Sequence, residues 1–205
     1  MIVIGITGGV GAGKTQVLSY IEMHYSCRII RADEAAHLLE QRGQPCYGKL
    51  VGLLGENILD AAGNIDKNKM AEAIFRDKQL LSQVNAIVHP EVKKYILQEI
   101  VYEKEKGEAD YFFIEAALLI EERYDLIADE LWYIYADEEV RRQRLMRERH
   151  YSAEKADSIM KKQLSEAEFR KHCRHCISNN GDLEETYKQI RALMAARTGA
   201  PKALA

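Results

Sequence analysis

The chain has 205 residues, enough for one domain core with insertions rather than two independent domains. Hydrophobic residues make up 47% and charged residues 30%, the balance of a water-soluble globular protein, and no apolar run approaches membrane-spanning length. A formal net charge of −3 argues against a general nucleic-acid or membrane binder.

The chain opens on MIVIGIT and runs straight into glycines, with no signal peptide before them. Cys27, Cys46, Cys173 and Cys176 therefore read as free thiols of a cytoplasmic protein. Ile2 to Thr7 is a short β-branched apolar run ending in glycines, the pattern of a buried parallel strand. A helix is expected from Lys14 to about His24, then a second strand over Cys27 to Arg31. Tyr111 to Ala116 and Glu130 to Ala136 read as two more strands, and Cys176 to Ser178 as a short fifth. Helical patterns fill residues 34–106 and 137–173, and a last amphipathic helix runs from Asp182 to about Arg197. Strands alternating with helices predict a doubly wound parallel sheet of about five strands. The expected division is a core from 1–33, 107–136 and 174–197, a helical substrate lobe over 34–106, a helical lid over 137–173, and a frayed tail over 198–205.

Gly8-Gly9-Val10-Gly11-Ala12-Gly13-Lys14-Thr15 matches G-x-x-x-x-G-K-[ST] in full. Glycines let successive backbone N–H groups turn inward as an anion nest, and the following helix adds its positive N-terminal dipole. Lys14 is expected to reach the β- and γ-phosphates of ATP, and the Thr15 hydroxyl to ligate Mg²⁺. A Gly-rich turn that merely precedes a helix is the alternative. The strand before the motif and its place near residue 1 speak against that.

A phosphate loop alone does not choose among kinases, GTPases and motors. A guanine-reading N-K-x-D is missing, since Asn68-Lys69-Met70-Ala71 lacks the aspartate. Asp60-Ala61-Ala62-Gly63 fits D-x-x-G but follows no useful strand, so it reads as a turn. No serine-glycine-rich ABC signature is present. A small-molecule kinase fits better. Asp33 follows the second strand at the carboxyl edge where open α/β sheets bind ligands, and a helix N-cap is its other reading. Arg141, Arg142, Arg144, Arg147 and Arg149 form a basic helical segment. Phosphoryl transfer needs positive charge around the equatorial oxygens and a closed, dry site, which a mobile arginine lid supplies. Arg144 and Arg147, three apart, are expected to share one face. A solvated face paired with Glu138, Glu139 and Glu148 is the alternative.

TGGVGAGKT, Arg31 to His37 (RADEAAH), Phe75 to Asp77 (FRD) and Val88 to Pro90 (VHP) resemble the dephospho-CoA kinase family in order and spacing. Ala117 to Glu121 (ALLIE), Arg144 to Arg147 (RLMR), Gln163 and Ile177 to Gly181 (ISNNG) extend the likeness over roughly residues 2–195. The resemblance implies a core like that of nucleoside monophosphate kinases, with a substrate lobe and a lid. It implies transfer of the ATP γ-phosphoryl group to the ribose 3′-hydroxyl of dephospho-CoA. Asp33 would deprotonate or orient that hydroxyl, Lys14, Arg144 and Arg147 would serve transfer, and His37 and His89 would lie by the acceptor. The nucleotide would be held by Gly8 to Thr15 together with Gln16 and Asn179. Its partners would be ATP and dephospho-CoA, with no nucleic acid or membrane, in a monomer or weak homo-oligomer.

The chain departs from the family's usual pattern in three places. Ala117 stands for proline, Cys173-Arg174 for Ala-Asp, and Thr15-Gln16 for Ser-Thr, although Thr15 keeps the hydroxyl. Glu115 ends the third strand, where the family often has aspartate near Mg²⁺ or its waters; a structural salt bridge is its equal alternative. His89-Pro90 reads first as a helix start with Pro90 at its first position. His172-Cys173-Arg174-His175-Cys176 invites a zinc reading, but no second ligand pair lies at matching spacing, so free thiols are expected. Trp132 and Tyr133 read as core.

Overall fold

The computed structural model describes residues 1–75 and 77–197; the 198–205 segment, read as a frayed tail, lies outside the described residues. The chain divides into two compact units, one built from Met1–Ile29 and Gly107 onward, the other from Ile30–Lys106.

The first unit, with the last two residues of β2 assigned to the second, carries a five-stranded parallel sheet of order β2-β3-β1-β4-β5. Its strands are β1 (Ile2–Thr7), β2 (Cys27–Arg31), β3 (Tyr111–Glu115), β4 (Glu130–Tyr135) and β5 (His175–Ser178). In β1, β3 and β4 nearly every residue is buried, because helices cover both faces and leave no polar side to alternate. Trp132, Phe112 and Phe113 are fully buried, each contributing about 1.5–3 kcal/mol by leaving water. β1 is central, between β3 and β4. The chain leaves it toward β2 on one side and reaches β4 on the other, so the order reverses beside the carboxyl end of β1. Open α/β sheets bind ligands in the crevice at such a point.

The helices of this unit are α1 (Lys14–His24), α6 (Glu138–Arg149), α7 (Ala153–Met160), α8 (Glu166–His172) and α9 (Leu183–Ala195). Phe169 of α8 stacks on Tyr133 of β4 with ring centroids 4.7 Å apart. Among the described residues no helix is long and apolar enough to cross a membrane.

The second unit holds α2 (Ala32–Leu39), α3 (Tyr47–Leu54), α4 (Lys67–Phe75) and α5 (Lys78–Lys106). Val84, Val88, Val92, Ile96 and Ile100 recur every four residues and make the buried stripe of α5. Pro90 does not start this helix, as the His89-Pro90 pair predicts; it sits inside it. It falls on the exposed side, where loss of one N–H and a slight bend cost least. The start is set instead by Asp77, whose Oδ1 accepts from the backbone N–H of Gln79 at 2.9 Å and Leu80 at 3.0 Å. Asp60 accepts from Ala62 and Asn64 N–H at 2.9 Å each, so the D-x-x-G string is a turn.

Candidate active site

The phosphate loop leaves the carboxyl end of β1 and opens α1. Gly13 takes the N-cap position at φ 87°, a left-handed conformation that favours glycine, and no side chain caps the helix. The first turn holds no acidic residue, so the helix presents its positive end to an anion. Ala12 N–H closes the loop on the Gly9 carbonyl at 3.1 Å.

Lys14 Nζ donates to the Gly8 carbonyl at 3.0 Å and lies 3.6 Å from Glu115 Oε1. Topology explains this meeting, since Ile6, next to the loop, is in register with Glu115 on β3. The carboxylate lies at ion-pair distance from the ammonium, and both side chains are largely withdrawn from water, at 15% and 17% exposure. Thr15 and Gln16, on the first turn of α1, are exposed.

The wall of the loop comes from distant parts of the chain. Asn179, fully buried after β5, donates from Nδ2 to the Ala12 carbonyl at 2.8 Å and accepts on Oδ1 from the Thr186 hydroxyl at 3.0 Å. A Cβ at position 13 would fall 2.2 Å from that Nδ2, a second reason for glycine there. Arg144 Nη2 donates to the Asn179 carbonyl at 2.8 Å, and its Nη1 lies 3.4 Å from the Gly11 and Ala12 carbonyls. Asn179 and Arg144 thus tie the Gly11 and Ala12 carbonyls of the loop to the segment after β5 and to α6.

Arg147 is placed differently. It is 75% exposed and pairs with Glu148 at 2.8 Å, the arrangement of a solvated face. At about 100° per residue, position 147 is rotated about 120° from Arg141, so the inward stripe passes through Arg141, Arg144 and Leu145 and misses it. Arg142 faces outward as well, bonded to Asp157 and Glu139. Arg141 itself is buried against the loop, and Gln163 joins it there. The sequence points to Arg141 only as one of a basic run and to Gln163 only as part of the family likeness. The available signal was an arginine at i, i+4 from Leu145, where an apolar residue belongs.

Three predicted residues lie in the second unit. Asp33 is exposed at the second position of α2, and Arg31 is the N-cap residue, so the N-cap reading of Asp33 does not hold. His37 is exposed one turn later, with Nδ1 3.3 Å from Glu40 Oε2. His89 lies within α5, half-buried. All four cysteines are free thiols. Burial pushes Cys27 and Cys46 up to about 11 and Cys173 up to about 12, the environment of inert thiols.

The profile of the dephospho-CoA kinase family matches residues 2–185. A dephospho-CoA kinase of Aquifex aeolicus is 34% identical over 198 residues, covering 97% of this chain and 98% of the relative. A crystal structure from Thermus thermophilus is similar at TM-score 0.79 and 28% identity, covering 97% of this chain and 98% of that one. A Campylobacter jejuni dephospho-CoA kinase, at 21% identity and TM-score 0.70 over 96% of this chain and 98% of its own, shares the fold. With family and fold both matching over nearly its whole length, the chain belongs to the dephospho-CoA kinase family.

Proposed function

We propose that the protein transfers the γ-phosphoryl group of ATP to the ribose 3′-hydroxyl of dephospho-CoA, giving CoA and ADP. The observation that carries this reading is the match to the dephospho-CoA kinase family across the phosphate loop and both units. In the reaction the hydroxyl oxygen bonds to the γ-phosphorus as the bond to the β,γ-bridging oxygen breaks. ADP leaves, and Asp33 accepts the hydroxyl proton. A carboxylate suits that task without a raised pKa, since a loose transition state asks mainly for an oriented acceptor. Lys14, poised between Gly8 and Glu115, neutralises phosphate charge as it passes to the leaving group. Arg144 sets the loop's shape and adds positive charge, and Asn179 supports the nucleotide side.

Mg²⁺ suits the groups present, a hard oxygen ligand in the Thr15 hydroxyl and a carboxylate at Glu115 for the ion's surroundings or its waters; when bound it would neutralise phosphate charge. His37 and His89 are the proposed acceptor contacts. Arg147 is set aside, because its charge is exposed and already paired. Four free thiols fit the reducing cytoplasm.

The test is an acceptor panel with ATP and Mg²⁺. Stoichiometric ADP release with dephospho-CoA, and none with nucleoside monophosphates or small alcohols, is the expected result. Preference for a nucleotide or another metabolite would make this a different kinase on the same fold.

A further inference from the structure

Arg141 is an arginine in the buried stripe of α6, and its bonds all lead to the phosphate loop. Its Nε donates to the Val10 carbonyl at 2.9 Å and its Nη2 to Gln163 Oε1 at 2.6 Å. The same Gln163 oxygen accepts from the Val10 N–H at 2.9 Å. Both polar groups of Val10 are thus tied into one ring of three hydrogen bonds. The guanidinium also lies against Gly9, where a Cβ would come within 2.3 Å of its central carbon. That carbon is held by the ring and cannot swing aside as a surface arginine would.

The charge of this group is as telling as its geometry. Arg141 is only 9% exposed, yet among the described residues no carboxylate lies within ion-pair distance of it. A guanidinium does not escape burial by losing its proton. Buried charges are normally paired, so one left uncompensated beside a loop that binds anions awaits an anion. The acceptor facing it is a glutamine, which offers an oxygen without cancelling the charge.

We propose that Arg141 and Gln163 are positioning residues for the nucleoside triphosphate: together they fix the Val10 peptide, and the neutral glutamine preserves the Arg141 charge for the phosphates. This rests on the phosphate loop binding ATP, as the preceding section reads it.

Gln163→Glu separates geometry from charge, because a carboxylate accepts the same two hydrogen bonds while neutralising the arginine. ATP affinity, KM for ATP and for dephospho-CoA, kcat and Tm are measured on the full-length wild type and variant. The expected result is an unchanged or higher Tm without nucleotide, a KM for ATP raised about tenfold or more, a smaller ATP-induced Tm shift, and an unchanged KM for dephospho-CoA. Wild-type ATP affinity in the variant overturns the proposal. Should Gln163→Glu not fold, Arg141→Lys and Arg141→Gln decide: ATP affinity near wild type in the first and at least tenfold weaker in the second supports it, and equal affinity overturns it. A wild type that binds no ATP overturns the phosphate-loop reading too, whereas a wild type that binds ATP while the variants match it removes only this proposal.

Discussion

At the scale of single residues, Lys14 and Asp33 are the two residues proposed to carry the chemistry, and their surroundings predict different failures. Lys14 is partly withdrawn from water between the Gly8 carbonyl and Glu115, where in the proposed reaction a cation would meet developing charge. Lys14→Ala is expected to lower kcat by about 10²–10³-fold with Tm nearly unchanged, read by steady-state kinetics and thermal melting. Near wild-type turnover would sink the assignment of the loop. Asp33 is exposed and caps nothing, so removing its charge has little structural consequence. Asp33→Asn is therefore expected to lower kcat by about 10²–10⁴-fold, with the KM for ATP and Tm within error of wild type. A fall in Tm with normal turnover would make the residue structural.

At the scale of the element, α6 is a helix of charged residues with one face turned to the phosphate loop and another bonded to α7 through Arg142 and Asp157. Helical phase sorts its arginines: Arg141 and Arg144 bond loop carbonyls, while Arg142 and Arg147 pair with surface carboxylates. Bonds from a charged donor to buried carbonyls contribute more than an exposed ion pair. Arg144→Ala is expected to reduce kcat/KM for ATP by about 10–100-fold, and Arg147→Ala to leave it within about twofold. Kinetics at varied ATP with saturating dephospho-CoA make the comparison. An Arg147 effect as large as that of Arg144 would mean that α6 turns over during catalysis and that the pairing with Glu148 is broken.

At the scale of the whole molecule, burial shapes the thiols and with them the alkaline limit of stability. Cys173, between α8 and β5, is pushed up to about 12 by burial, with Cys176 adding to the effect. Its neutral form is favoured by folding, so its contribution is complete below the unfolded value of 9.0 and is lost as pH rises through about 12. The urea midpoint is expected to fall between pH 8 and 10.5, and to fall less in Cys173→Ala. The folded protein should also label slowly at Cys173 with iodoacetamide at pH 8. Fast labelling there would show an exposed thiolate and a different packing of the 173–176 segment.

Local signals were enough for β1, the phosphate loop and α1. A β-branched run, a glycine motif and a helix start lie within one contiguous stretch, and each is decided by neighbours in sequence. The five parallel strands follow from runs equally local, and family membership from the order of short motifs along the chain. Only the tertiary structure decided which side chains meet the loop. Asn179 is 167 positions from the carbonyl it holds, and Arg141 is 131 from Val10, distances over which sequence spacing carries no geometry. It also decided that Pro90 lies inside a helix, because the buried valines on either side hold that helix together against one missing N–H. Arg141 and Arg147 are the same residue type on the same helix. One is buried against the phosphate loop and the other lies in solvent, because the phase of α6 is set by its contacts with that loop and with α7, which the helix's own sequence does not contain.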